Sequence, residues 1–258
     1  MSTVRIDMNK HGVACVTLNR PQVHNALDEA MIRELSDGFA MLGRHREVRA
    51  ITLRGEGRSF CGGGDLNWMM RAAGQSQADN HADAVRLARM FETINTCAKP
   101  VIGLVHGAAL GGGTGLAACC DIVVASHDAR FGLTEVRLGL IAATISPFVV
   151  AKIGVSQARR YMLTAERMDA ATAKAIGLVH ETGDDVDTAA KPILDAILSN
   201  GPDAMADSKR LIGDVAGREV TPDLLDITAA RIAARRASDE GREGIAAFLE
   251  KRKPRWAE

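Results

Sequence analysis

Two stretches of the chain share one arrangement: an apolar run, a glycine cluster, then a helix start. They are AITLRGEGRSFCGGGDL (50–66) and VIGLVHGAALGGGTGLAA (101–118). Glycine after a strand lets backbone N–H groups approach a ligand oxygen closely, and a helix N-terminus adds partial positive charge. Two such loops converging on one point would make a two-donor oxyanion hole, where one donor is worth about 10²–10³ in rate. Taken singly, each cluster is also what a plain turn or close helix–strand packing requires. A dinucleotide fingerprint is excluded, because G-x-G-x-x-G begun at Gly111 ends on Leu116. A P-loop is excluded too, since no Gly-Lys-Ser/Thr follows either cluster. The third candidate is Glu135, in FGLTEVRLGLI (131–141), a carboxylate among apolar neighbours. An apolar pocket would raise its pKa toward the range of a general acid–base. On a surface it would be an ordinary exposed or ion-paired residue.

The elements around these candidates read as mixed α/β. VRIDM and VACVTLN flank NKHG, a β-hairpin turning at Asn9–Gly12. Met31, Leu35, Phe39 and Leu42 recur at helical spacing behind Asp28, the N-cap. VRAITLRG (48–55) is a strand, and the first glycine cluster enters a helix near Asp65. Residues 78–96 carry Val85, Leu87, Met90, Phe91 and Ile94 on one helical face. PVIGLV and DIVVAS (121–126) read as buried strands. From Ser146 onward helices dominate, over 156–164, 169–176, 186–199, 203–216, 222–237 and 239–251, punctuated by Gly154, Gly177, Gly201 and Gly217.

Composition narrows the classes. The chain has 258 residues with 32 basic and 32 acidic ones, so no global field recruits nucleic acid or an anionic membrane. The run KRKPRW (251–256) is a local basic tail. Five scattered cysteines, an odd number with no Cys-x-x-Cys, form neither a disulfide framework nor a zinc site and fit a reducing compartment. MSTVRIDMNKHG has no apolar signal core, and a cytoplasmic enzyme is expected. Val101–Cys120 is an uncharged run of 20 residues, long enough to span a bilayer, but six of them are glycine and His106 interrupts it. Soluble elements are expected there.

Together these pieces resemble the enoyl-CoA hydratase/isomerase (crotonase) family. LNRPQVHNAL, RSFCGGGDL, GAALGGGTGLAACCDI and FGLTEVRLGL are similar to four family signatures in the family's order. LTAERMDAATAKAIGLVHE follows as it does there, and EGIAAFLEKRK near the end is also similar. The resemblance implies a spiral of ββα units over residues 1–185 and a C-terminal helical region, 186–258, that forms trimers or dimers of trimers and covers the active site. It implies an acyl-CoA substrate, no separate cofactor and no metal. By motif position Gly64 and Gly112 would donate the oxyanion-hole N–H groups, and Glu135 would be the general acid/base. Asp65 reads as the cap of the helix after Gly64. Gln22, Val23, His24, Arg58 and Gly62 match CoA-binding positions, while Phe248 and Lys251 match tail positions that reach a neighbouring subunit's CoA.

One departure stands out. The second catalytic glutamate of the family's ordinary hydratases falls at Gly115. A lone glutamate suits an isomerase, which moves a proton between C2 and C4, and the missing acid also leaves open a non-catalytic member that only binds CoA thioesters. DLNWM, GLAACCDI and EVRLGLIAATISP are most similar to the 3-methylglutaconyl-CoA and isohexenylglutaconyl-CoA hydratase branch, where glycine at this position is usual. That branch implies hydration of branched, carboxylated enoyl-CoAs. Glycine would then remove a like charge and open volume beside the β-carbon, with Arg71 or Arg137 available to pair with a distal carboxylate.

Overall fold

The structure is a computed structural model that describes residues 2–257. Strands β1 (Val4–Met8) and β2 (Val13–Leu18) form the expected antiparallel hairpin, Val4 opposite Leu18. Asn9 sets the turn: its side-chain oxygen accepts the N–H groups of His11 and Val13. Helix α1 (Glu29–Arg44) follows, capped by Asp28, whose carboxylate accepts the Met31 N–H at 2.9 Å. Strand β3 (Ala50–Gly55) then pairs parallel with β2. A helical hairpin, α2 (Leu66–Ala73) and α3 (Gln77–Asn95), leads to β4 (Val101–Val105), buried along its whole length. A strand covered on both faces has no polar side to alternate with, hence the unbroken VIGLV.

The apparent bilayer span resolves into three short pieces: β4, β5 (Ala108–Leu110) and α4 (Gly112–Cys119). Among the described residues no helix is long and apolar enough to cross a membrane. Then come β6 (Ile122–Ser126), β7 (Arg130–Gly132), α5 (Ser146–Thr164), β8 (Arg167–Asp169), α6 (Ala170–Ala175) and β9 (Glu181–Gly183). The main sheet runs β1-β2-β3-β4-β6-β9 and is parallel after the hairpin; β5, β7 and β8 make a small second sheet. Helix α5 begins ten residues before the predicted 156, because a further helical piece precedes Gly154, whose non-helical φ of +71° and ψ of 164° put a kink between it and the predicted 156–164.

Helices α7 (Val186–Ser199), α8 (Pro202–Val215), α9 (Pro222–Ala237) and α10 (Asp239–Leu249) complete the chain. Val186, Ala190 and Ile197 of α7 pack on Ile102, Leu104 and Val124, so this helix covers one sheet face. The other face meets a larger core containing the fully buried Phe39, Phe60, Phe91 and Phe131. Helix α8 is tied down by Lys209, whose Nζ donates to the Asp121 carboxylate at 2.7 Å. The repeated β-strand–helix crossovers and the trailing helices are the crotonase-like α/β architecture that the motifs implied.

Candidate active site

Two single parallel bridges hold the first glycine loop: Leu27 to Gly64 ties it to the segment before α1, and Cys61 to Ala109 ties it to the second glycine loop. In the first, Leu27 N–H donates to Gly63 O at 2.7 Å and Asp65 N–H donates to Leu27 O at 2.8 Å. That pattern uses the backbone on either side of Gly64 and turns the Gly64 N–H away from the bridge. In the second, Cys61 N–H donates to Ala108 O and Leu110 N–H to Cys61 O, both at 3.0 Å. The loops meet so closely that a Cβ on Gly113 would stand 2.2 Å from Cys61 O, a contact only glycine permits.

Gly112 is the first residue of α4, so its N–H has no partner within the helix. Gly111, just before it, has φ +49° and ψ −116°, a backbone region closed to L side chains. The Thr114 hydroxyl ties this turn to β7: its Oγ1 lies 2.7 Å from Ala109 O and accepts the Gly132 N–H at 3.2 Å. Asp65 caps α2 as expected, accepting the N–H groups of Asn67 at 2.9 Å and Trp68 at 3.2 Å. Arg20 joins this cap to that of α1, reaching Asp65 at 3.0 Å and Asp28 at 3.1 Å. Burial alone would raise the Asp65 pKa, but the bonds from Arg20, Trp68 and Asn67 together hold it below the ordinary value.

Gly64, Gly112 and Glu135 line one cavity of about 600 Å³, bounded by α2, α3, the N-terminus of α4 and the segment 134–145. Glu135 opens the tight 3₁₀ turn Glu135–Leu138. A Cβ on Gly111 would sit 3.2 Å from Glu135 Oε1, so the carboxylate lies against the glycine turn. Its Oε2 is buried with no hydrogen-bond partner among the described residues. Burial raises the Glu135 pKa above its ordinary value, outweighing a hydrogen bond from the residue's own backbone N–H. Two N–H groups unengaged among the described residues, Gly112 at the start of α4 and Gly64 just before the cap of α2, and a raised carboxylic acid on one wall can hold a developing oxyanion and move a proton beside it.

The space vacated at Gly115 is not open. A Cβ there would stand 2.2 Å from Ile145 Cγ2, 2.8 Å from Ile145 Cβ and 3.2 Å from Phe91 Cε1. This corrects the expectation that glycine enlarges the site: a buried isoleucine fills the room, and the wall is apolar. Of the two cations considered for a distal carboxylate, Arg137 lines the cavity and donates to Ala165 O at 2.9 Å. Arg71 does not line it and faces Glu29 at 3.8 Å on the surface, so that assignment is withdrawn.

Five of the residues matched to CoA positions, Gln22, Val23, His24, Arg58 and Gly62, gather around the first glycine loop, where Gly62 lines the cavity. Gln22 and Val23 belong to the 3₁₀ turn Pro21–Val23, and His24 follows with φ +53°. The turn packs on the first glycine loop: His24 O accepts the Gly62 N–H at 2.7 Å, and His24 Nδ1 lies 3.0 Å from Ser59 Oγ. Arg58 is exposed in the same loop. Buried Asn25 bolts the two together, donating to Glu56 O and Ser59 O and accepting the Arg20 N–H. Phe248, 83% exposed, and Lys251 lie at the end of α10 and are not part of the cavity wall of their own chain.

Among the residues on this wall that sequence reasoning missed are Trp68, Asp83, Ile145 and Arg167. Asp83 had a readable signal, since it precedes Leu87 by four residues and so occupies an apolar-face position of its helix.

Comparison with known proteins agrees with this geometry. The family model of enoyl-CoA hydratase/isomerase matches residues 8–258. The chain is similar to the crystal structure of an enoyl-CoA hydratase from Shewanella pealeana, at 44% identity and a TM-score of 0.96, covering 98% of this chain and 96% of that one. It is also similar to the structure of Pseudomonas aeruginosa AtuE, at 39% identity and a TM-score of 0.94, covering 99% and 100%. A peroxisomal Delta(3,5)-Delta(2,4)-dienoyl-CoA isomerase of Arabidopsis thaliana is 33% identical over 257 residues, covering 93% of this chain and 91% of the relative.

Proposed function

The chain belongs to the enoyl-CoA hydratase/isomerase family, and on that footing we propose that it hydrates a 2-enoyl-CoA thioester with Glu135 as its only carboxylic acid/base. The observation that carries this reading is the buried, unpartnered Glu135 Oε2 on the same cavity wall as the free N–H groups of Gly64 and Gly112. The thioester oxygen accepts from both N–H groups. As water adds to the β-carbon, negative charge moves onto that oxygen, where the two donors and the start of α4 stabilise it. Glu135 takes the proton from the attacking water and returns it to the α-carbon. The bond balance is one C–O and one C–H bond formed, with one O–H bond and the C=C π bond lost, and the carboxylate ends as it began. The product is a 3-hydroxyacyl-CoA.

Gln22, Val23, His24 and Arg58 form the rim that receives the nucleotide arm. Phe248 and Lys251 act on a neighbouring copy in a homotrimer or a dimer of trimers, which sedimentation or light scattering would test. Arg137, joined by Arg167 at the cavity, supports a branched acyl group with a distal carboxylate. A selective loss of carboxylated substrates in Arg137→Met is the result that reading requires.

Glu135→Gln should lower turnover about 10²–10⁴-fold while CoA-thioester binding survives. Near-wild-type turnover in that variant would remove Glu135 from the mechanism. A second reading, isomerisation of a 3-enoyl-CoA, is favoured by one observation: Ile145 and Phe91 occupy the space beside Gly115, so no second acid faces the β-carbon there. Turnover in H₂¹⁸O separates the two, because hydration carries label into the product and isomerisation does not.

A further inference from the structure

Two polar groups on the cavity wall lie outside the proton transfer proposed above. Trp68, on α2, is 6% exposed, and its indole N–H is buried without a hydrogen-bond partner among the described residues. Asp83, on α3, is 4% exposed and accepts one bond, from Arg86 at 2.7 Å, while the Arg86 side chain is itself mostly in solvent. Both residues line the same cavity as Glu135. The indole also abuts the oxyanion loop, since a Cβ on Gly64 would lie 3.8 Å from Trp68 Cζ3. Asp83 shares the buried face of α3 with Met90, Phe91 and Ile94, where an aliphatic residue would pack at no electrostatic cost.

An indole N–H can only donate, and an ionised carboxylate can only accept. A plain alkyl chain against this wall leaves the Trp68 N–H unpaired and Asp83 with its Arg86 bond alone. A carboxylate would suit Trp68 but repel Asp83. A hydroxyl suits both, accepting from one and donating to the other.

We propose that Trp68 and Asp83 form a hydrogen-bonding subsite that takes a hydroxyl carried by the acyl chain beyond its reacting carbons. This rests on the reading of the cavity as an acyl-CoA site, but not on the reaction performed there. A site built to hydrogen-bond a substrate hydroxyl discriminates strongly against the analogue lacking it, because its own groups are then left unpaired.

The test uses saturated ligands, which are neither hydrated nor isomerised. Calorimetry on the full-length protein compares butyryl-CoA, hexanoyl-CoA with 6-hydroxyhexanoyl-CoA, and octanoyl-CoA with 8-hydroxyoctanoyl-CoA. The hydroxylated ligand of at least one pair should bind roughly tenfold or more tightly than its parent. Trp68→Phe and Asp83→Leu should each bring that ratio to within about twofold, with Asp83→Asn, which keeps the side-chain shape, falling between. Equal binding within both pairs for the wild type overturns the subsite, as does equal weakening of both members of a pair in the variants. Failure of every ligand, butyryl-CoA included, overturns the acyl-CoA reading and the subsite with it, and is distinct from equal binding.

Discussion

Gly115→Ala sets two rules against each other. Position 115 lies inside α4, where replacing glycine by alanine normally adds about 1 kcal/mol to helix stability. The packing reverses the sign. The new methyl would lie 2.2 Å from Ile145 Cγ2, and a contact only becomes ordinary at 3.4 Å, so more than an ångström must be found. Neither neighbour yields readily: Ile145 is 2% exposed and Phe91 fully buried. Ile145 is also β-branched, which restricts the rotamers open to it. Overpacking of a buried site costs about 1–3 kcal/mol, and this clash belongs at the upper end. After the helix gain is subtracted, the variant should be less stable by about 1–2 kcal/mol.

Urea unfolding of wild type, Gly115→Ala, Ile145→Ala and the double variant measures this directly. Ile145→Ala alone should cost about 2–5 kcal/mol through the cavity it leaves. In the double variant the alanine methyl has room, so the pair should be more stable than the sum of the singles by about 1–3 kcal/mol. A Gly115→Ala protein as stable as wild type, or strict additivity, would refute the claim that Ile145 occupies the second-acid position.

The remaining tests concern charge. Because burial raises the folded pKa of Glu135, its carboxylate weakens the fold as pH rises. Glu135→Gln should therefore gain stability over wild type above the folded pKa. The gain should vanish as pH falls toward about 4.3, the usual glutamate value, and urea midpoints from pH 4 to pH 8 would check it. The same shift requires the acid limb of the wild-type rate profile to lie above the ordinary carboxylate range, and a limb at or below it would contradict the burial argument. Asp65→Ala removes the α2 cap and the Arg20 ion pair, and should cost about 1–3 kcal/mol at neutral pH with a fall in turnover, since Gly64 adjoins the cap. The folded pKa of Asp65 is lowered, so its contribution is present above about 3.9 and lost as pH falls through the folded value; the gap between variant and wild type should close in acid.

Much of the site was legible because its signals are local. A cap is a residue type at a fixed offset from a helix, so Asp28 and Asp65 could be read directly. Helices α7 and α9 end where the sequence pattern places them, because their boundaries coincide with Asp185, Asn200, Thr221 and Ser238. Strands β5, β7, β8 and β9 were not readable. Each has three residues, too few to show alternation, and each exists because a remote partner supplies its hydrogen bonds. The role of Ile145 was hidden for a related reason. Nothing in its neighbourhood of the chain says that it will pack against a helix 30 residues earlier, and its effect appears only at a glycine that carries no side chain to compare.

The fold must also keep Glu135 from satisfying itself. A buried carboxylate that finds a lysine, an arginine or several N–H groups in its own chain drops in pKa and becomes inert as a base. Here the one backbone N–H that bonds the carboxylate is its own, too little to offset burial, while the parallel bridge at Leu27 turns the Gly64 N–H aside and the Gly112 N–H stands at the start of α4. The guanidinium of Arg137, two residues along, is held by Ala165 O instead of Glu135. Ile145, packed against Gly115, acts in the same direction, because it leaves that part of the cavity wall apolar. The glycines, the diverted arginine and Ile145 therefore share one consequence, a carboxylate whose best available partner is the substrate.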